Sequence, residues 1–250
     1  ANRPYQREAV WHICEDMHRG VRRLLVSTPP GTGKTRMAAG AIEALLHQKA
    51  VSKVLYLADR EELVHQAYEQ FRMLLPDAKL VDLLGDVREE AQADIVFATA
   101  TIMMDAVNES RTETGVRLYD PAHFDLVIID ESHPSIYEDH IMLLNYFDAT
   151  LLAFSSLPPT APGEDATYRF YDLAPGKPTF CYTLDEACRD GWLVDFTLRD
   201  EAPEEIMKPH LRYAELTDAQ RRIAEMEYSD TGAITSKDFD VPAVNNWLFS

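Results

Sequence analysis

Cysteine is scarce in this 250-residue chain, and the three present, Cys14, Cys181 and Cys188, form no Cys-x-x-Cys pair. An odd, scattered set of thiols does not build a disulfide framework, so a reducing, cytoplasmic setting is expected. Long apolar runs are missing too. None approaches the ~18 unbroken apolar residues of a membrane span, and no membrane association is expected. No apolar stretch follows the opening Ala-Asn-Arg-Pro-Tyr-Gln, so no secretory signal is expected there, and the missing first Met reads as a fragment or a processed chain. Basic residues are outnumbered, 24 Lys and Arg against 42 Asp and Glu, for a net charge of −18. That balance argues against a polyanion binder over the whole surface. A local groove of backbone amides and a few cations remains compatible with it. The eight histidines offer neither His-Glu-x-x-His nor zinc spacing, and no Gly-x-Ser-x-Gly elbow occurs. What is plentiful is apolar content, 46% beside 26% charged residues, which excludes a wholly disordered chain. The length suits one large domain or one and a half small ones at roughly 100–200 residues each.

The hydropathy pattern alternates. Val10, Ile13, Cys14 and Met17 predict a helix over 3–19, with Gly20 as its stop. Leu24-Leu25-Val26 predicts a buried strand, a turn follows from Thr28 to Gly33, and Lys34 to about Gln48 predicts a helix. The pattern then repeats: strand 54–57, helix 61–75, a short strand over 80–84, strand 95–98, helix from about 101 to 107, strand 126–129, strand 151–154. Continuous apolar strands between helices predict a parallel sheet covered on both faces, an α/β fold. From Pro158 to Pro178 prolines and glycines crowd the text and predict loop. A short helix is expected over 185–189, a strand over 192–198 and a helix over 218–227. Eleven acidic residues face five basic ones between 200 and 250, which predicts an acidic C-terminal extension.

Two motifs carry chemistry. Thr28-Pro-Pro-Gly-Thr-Gly-Lys34-Thr35 lies between a predicted strand and a predicted helix, the context a phosphate-binding loop requires. Pro30, Gly31, Thr32 and Gly33 shape a turn whose N–H groups face phosphate oxygens, and the helix N-terminus adds its positive dipole end. Lys34 reaches the β- and γ-phosphates, and the Thr35 hydroxyl ligates Mg²⁺. The second motif is Phe124-Asp-Leu-Val-Ile-Ile-Asp130-Glu131-Ser-His133-Pro134. Two adjacent carboxylates closing a buried strand are costly unless they meet a cation or hydrogen-bond donors. Asp130 is expected to hold the Mg²⁺, directly or through water, and Glu131 to act as general base on the attacking water. ATP and Mg²⁺ are the expected cofactors, and Lys34, Asp130 and Glu131 the expected catalytic set.

The order of Gly-Thr-Gly-Lys-Thr and then Asp-Glu-Ser-His resembles the first motor domain of a superfamily-two helicase or translocase. Arg3-Pro-Tyr-Gln6 is similar to that superfamily's opening motif, which implies that Gln6 reads the adenine edge. Tyr5 is either a base-stacking or a core aromatic. The segment from Val54 to Gln66, with Arg60, and Phe97-Ala-Thr99-Ala-Thr101 resemble motifs that grip the nucleic-acid backbone. Thr99 and Thr101 read equally as helix caps, and Arg60 as a surface charge. Among these motors the chain most resembles the R (motor and restriction) subunit of type I restriction enzymes. Ala-Asp-Arg-Glu-Glu-Leu-Val-His-Gln-Ala, Asp-Glu-Ser-His-Pro-Ser-Ile-Tyr and the run from Phe180 to Phe196 carry that likeness. It implies a RecA-like P-loop NTPase domain over 1–198, and an acidic linker over 199–250 toward a second RecA-like motor domain. Double-stranded DNA and the specificity and methylation subunits of a restriction-modification complex are the implied partners. His133 and Ser155 are implied to couple phosphate sensing to DNA movement.

The departures are specific. Phe154-Ser155-Ser156-Leu157-Pro158 stands where the superfamily has Ser/Thr-Ala-Thr-Pro, so Leu157 replaces a Thr. Pro134 stands where Arg is usual and neither donates a bond nor carries charge. No second-domain arginine-finger motif and no nuclease core of the Asp…Glu-x-Lys kind is found, which reads as half a motor. The leading expectation is an ATP-dependent DNA translocase of weak intrinsic turnover. A nucleotide-binding switch without turnover, another superfamily-two repair helicase and a P-loop kinase stand as alternatives.

Overall fold

The computed structural model describes residues 3–85, 92–111, 115, 117–130, 142–156, 168–169, 171, 173–174 and 176–194, with the backbone of 210–212 and 238–240. The chain forms two compact units, Ala1–Asp195 and Phe196–Ser250. In the second, strands β8 (His210–Arg212) and β9 (Asp238–Asp240) pair antiparallel. The helix expected over 218–227 lies outside the described residues.

Among its described residues the first unit holds seven strands: β1 (Arg23–Ser27), β2 (Val54–Ala58), β3 (Leu80–Asp82), β4 (Ile95–Thr99), β5 (Leu126–Ile129), β6 (Thr150–Ser155) and β7 (Phe180–Cys181). They line up as β3-β4-β2-β5-β6-β1-β7, and every pairing is parallel. The crossovers include α2 (Lys34–His47), α3 (Glu61–Leu74) and α4 (Ala100–Glu109), with α1 (Pro4–His18) ahead of the sheet and α5 (Leu184–Arg189) after it. The expected parallel α/β architecture is what forms.

Strand alternation explains the two cores. Successive side chains of a strand point to opposite faces, so a strand buried on both sides must be apolar throughout. Along β5, Leu126 and Ile128 enter one core with Val54, Tyr56, Phe97 and the inner faces of α1, α2 and α3. Val127 and Ile129 enter the other with Leu55, Leu57, Met103 of α4, Leu143 and Phe147. The edge opposite the strand C-termini is tied by Asp125. One of its carboxylate oxygens accepts from Ser52 N (2.6 Å), Ser52 Oγ (2.8 Å) and Lys53 N (3.0 Å), joining the approaches to β2 and β5. Partial burial opposes its ionisation, but these donors outweigh that and hold its carboxyl below the usual carboxylate value.

Two expectations differ from the structure. The strand expected over 192–198 does not begin at Trp192. Gly191 adopts φ +74°, and the chain folds back so that Trp192 N and Leu193 N both donate to Ala187 O. A left-handed residue after a helix closes it in this way, and glycine enters that region without strain. Residues 195–198 lie outside the described residues. β7 was not expected. Its two residues are too few to show a period, and it exists because Val26 and Ser27 of β1 offer a free edge.

Candidate nucleotide-binding site

Parallel strands bring their C-terminal ends to one edge, and the loops that follow converge there. That edge collects the ends of β1, β6, β5, β2 and β4, and with them almost every residue the sequence singled out.

After β1 the loop turns through Gly31 (φ +80°) and Gly33 (φ +85°), and Gly33 is the residue preceding α2. A side chain at Gly33 would have its Cβ 2.8 Å from Gln6 Nε2, so this position has neither the backbone freedom nor the space for another residue. Thr32 is fully buried, and its hydroxyl donates to Pro29 O at 2.6 Å and lies 3.1 Å from Thr28 Oγ1. The loop is thus tied across its own mouth, while Pro30 and Gly31 face solvent. Lys34 and Thr35 open α2, whose first N–H groups have no partner within the helix. Lys34 is 9% exposed, and its ammonium donates to Ser156 Oγ at 2.5 Å.

Asp130 follows β5 directly and is half-buried. Its backbone N–H donates to Leu57 O (2.9 Å), and its carboxylate accepts from the fully buried Tyr56 hydroxyl at 2.6 Å. That bond fixes the carboxylate to the sheet edge. Register relates the two motifs. Ile129 pairs with Ala153 on one side of β6, and Leu25 pairs with Ala153 on the other. Asp130 and the start of the loop after Ser27 therefore flank the end of β6, two strand spacings or roughly 10 Å apart. A single metal-bound triphosphate spans such a gap. Glu131 and His133 lie outside the described residues, as do Pro134 and Leu157.

The remaining candidates occupy the same edge with different exposure. Ser155 ends β6, is 1% exposed and pairs with Ser27, and its carbonyl accepts from Thr28 N. Its neighbour Ser156 is the residue whose side chain meets Lys34. The sequence reading did not single out Ser156. The signal available was alternation, since a strand whose Phe154 faces one core places its last two serines on opposite sides. Gln6 is 2% exposed. Its Oε1 accepts from Arg3 N at 3.3 Å and its Nε2 donates to Thr32 O at 2.8 Å, so this amide engages the chain itself. Tyr5 is likewise a core aromatic here, 4% exposed and stacked on Tyr182. Thr99 caps α4 by accepting from Ile102 N, as its capping reading has it, and Thr101 is exposed on that helix's first turn. Arg60 precedes α3, is 76% exposed and lies beside Asp59. Ala58 pairs with Thr99, so Arg60 and the start of α4 share one corner of the sheet edge.

A phosphate loop, a buried lysine, a hydrogen-bonded aspartate and a parallel RecA-like sheet now stand together, and comparison with known proteins is decisive. The family described as "Type III restriction enzyme, res subunit" matches residues 1–160. This chain belongs to that family. It is a first motor domain of the superfamily-two helicase kind, with type I restriction subunits among its relatives. It is 24% identical over 218 residues to the type I restriction enzyme EcoKI endonuclease subunit of Escherichia coli K12, covering 77% of this chain and 17% of that protein. It is 30% identical over 167 residues to the ATP-dependent RNA helicase DHX58 of Mus musculus, covering 62% and 23% respectively. The fold is similar to that of a nuclease-deletion mutant of the type ISP restriction-modification enzyme LlaGI, solved with a DNA substrate mimic. That match has a TM-score of 0.55 at 17% identity and covers 94% of this chain and 23% of LlaGI. The chain therefore spans less than a quarter of each of these relatives. Among the described residues no helix is long and apolar enough to cross a membrane.

Proposed function

We propose that this chain is the first half of an ATP-driven, duplex-DNA-translocating motor of the type I restriction R subunit kind. The observation that carries the reading is the arrangement at the sheet edge: Lys34 buried at the mouth of a glycine loop, Asp130 held by Tyr56, and Ser156 between them. The residues present fit Mg²⁺–ATP. Gly31 and Gly33 hold left-handed backbone, φ +80° and +85°, ahead of α2, and the loop amides with Lys34 would hold the phosphates. Thr35 and Asp130 would hold the metal. Among the described residues no cluster of three or more His, Cys, Asp or Glu side chains is available to a metal. Mg²⁺ keeps several waters and leans on phosphate oxygens, so few protein oxygens are needed to hold it. The bound ion would neutralise charge developing on the phosphates. Glu131 is the general base toward water, and Gln6, whose Nε2 donates to Thr32 O, would read the adenine edge. His133 and Ser155 belong to the coupling between nucleotide state and strand movement.

DNA is assigned to the corner at Arg60, Thr99 and Thr101, where an exposed cation and a helix start suit phosphates. The relatives' restriction function supports that assignment. A second reading, a superfamily-two helicase acting on RNA, is favoured by the 30% identity to DHX58. ATP hydrolysis by the full-length protein, with duplex DNA or duplex RNA titrated in, decides between them. Stimulation by DNA that fades as salt rises is the expected result. Glu131→Gln is expected to lose the stimulated rate. Stimulation by RNA alone, or an unimpaired Glu131→Gln, contradicts the proposal.

A further inference from the structure

We propose that Tyr5, Tyr182 and Asp190 form a bracket that aims the Thr32–Gly33 peptide, and thereby sets the affinity of the loop for polyphosphate. The inference rests on the nucleotide-binding reading and deepens it, because the bracket acts on the loop and not on the base. The Thr32 carbonyl accepts from two donors at once, Tyr5 Oη at 2.7 Å and Gln6 Nε2 at 2.8 Å. In a planar trans peptide the C=O and N–H bonds point opposite ways. A carbonyl drawn toward α1 therefore turns the Gly33 N–H away from α1, into the concave side of the loop. Gly33, at φ +85°, has no Cβ to resist that orientation. Phosphate binding at a helix start depends on such outward-directed N–H groups.

Tyr5 is itself held in place. Its hydroxyl accepts from Arg3 Nη1 at 2.9 Å, which leaves its proton directed at Thr32 O. Its ring stacks on Tyr182 with centroids 4.1 Å apart and planes 10° from parallel. Tyr182 is fixed at both ends: its N–H donates to Ser27 O at 2.9 Å and its hydroxyl to Asp190 at 2.8 Å. Burial first, then Asp190, push the Tyr182 phenol well above its usual range, so it remains a donor at neutral pH. Leu193 supports the loop at its tip, 3.4 Å from where a Gly31 Cβ would lie. A segment about 150 positions downstream thus braces the loop from its outer side.

The test measures binding of Mg²⁺–ATP and of Mg²⁺–tripolyphosphate, which has no base, to the full chain. Tyr5→Phe is expected to weaken both ligands by a similar factor, roughly threefold to tenfold, the worth of one buried hydrogen bond. It is also expected to shift the Gly33 amide resonance. Tyr182→Leu, which removes both the stack and the Asp190 bond, is expected to weaken both as well; Tyr182→Phe, which keeps the ring but drops that bond, is expected to weaken both by less, and Asp190→Asn to match Tyr182→Phe. Weaker ATP with unchanged tripolyphosphate would mean that these residues read the base, and would overturn the bracket. Unchanged affinity for both would overturn it too. Wild-type protein that binds neither ligand would instead overturn the nucleotide reading on which the inference rests.

Discussion

Replacing Lys34 with alanine is expected to weaken Mg²⁺–ATP binding by roughly 10²- to 10⁴-fold, with the fold intact. The size follows from the bonds at stake. A lysine ammonium reaching two phosphate oxygens makes two charge-assisted hydrogen bonds of about 1.5–3 kcal/mol each, and each 1.4 kcal/mol is tenfold. The small structural cost follows from its surroundings. Lys34 is 9% exposed, and its ammonium donates to the Ser156 hydroxyl, which carries no charge. Alanine is also the best helix former, so the first turn of α2 loses no helical propensity by the change. Lys34→Arg is expected to rescue little, because a planar fork does not replace a compact ammonium in a narrow loop. Calorimetric titration checks both variants, with thermal melting as the control for folding. Affinity within a few-fold of wild type would contradict the role given to Lys34.

Replacing Phe97 with alanine is expected to destabilise the first unit by about 3–5 kcal/mol, the range for truncating a buried aromatic. Phe97 is fully buried at the centre of a ring cluster: Phe71 at 5.1 Å, Tyr56 at 5.3 Å and Tyr68 at 5.7 Å between centroids. The rings come from β2, α3 and β4, so the cavity would open where three elements meet and none can collapse independently. For a unit of this size the melting temperature should fall by roughly 6–20 °C. The consequence reaches the site, because Tyr56 is both a wall of this cluster and the donor to Asp130. A variant that survives at low temperature should need more Mg²⁺ for half-maximal ATP binding than wild type. Denaturant unfolding gives the stability change, and a loss below 1 kcal/mol would show that the cluster is looser than its contacts imply.

The parts of this molecule that could be read from the chain are those where one physical rule dominates. β5 is apolar at every position because it is covered on both faces, and Leu126–Ile129 therefore announced a central parallel strand. The glycine loop was legible because Gly31 and Gly33 occupy left-handed backbone that few other residues tolerate. Asp130 was placed by its position one residue past that strand. What could not be read depends on tertiary partners. Nothing local marks Phe180–Cys181 as a strand, since the edge of β1 makes it one. The bonds of Gln6 and Tyr5 to Thr32, 26 and 27 positions away, have no local signature, and of the two readings open for Tyr5 it is the core aromatic that forms. Alternation puts Ser155 and Ser156 on opposite sides, but which of the two hydroxyls meets Lys34 depends on how β6 sits against β1. The strand expected from Trp192 fails to start there because Trp192 and Leu193 look β-prone while their N–H groups close a helix.

The central claim is that Lys34 and Asp130 serve one nucleotide. A structure of the protein with Mg²⁺ and a non-hydrolysable ATP analogue tests it most directly. The account predicts phosphate oxygens within hydrogen-bond distance of Lys34 Nζ, the ammonium released from Ser156, and the metal on the Asp130 side between β1 and β5. An analogue bound elsewhere, or one bound at the loop while Asp130 stays remote from the metal and Lys34 remains on Ser156, would contradict it.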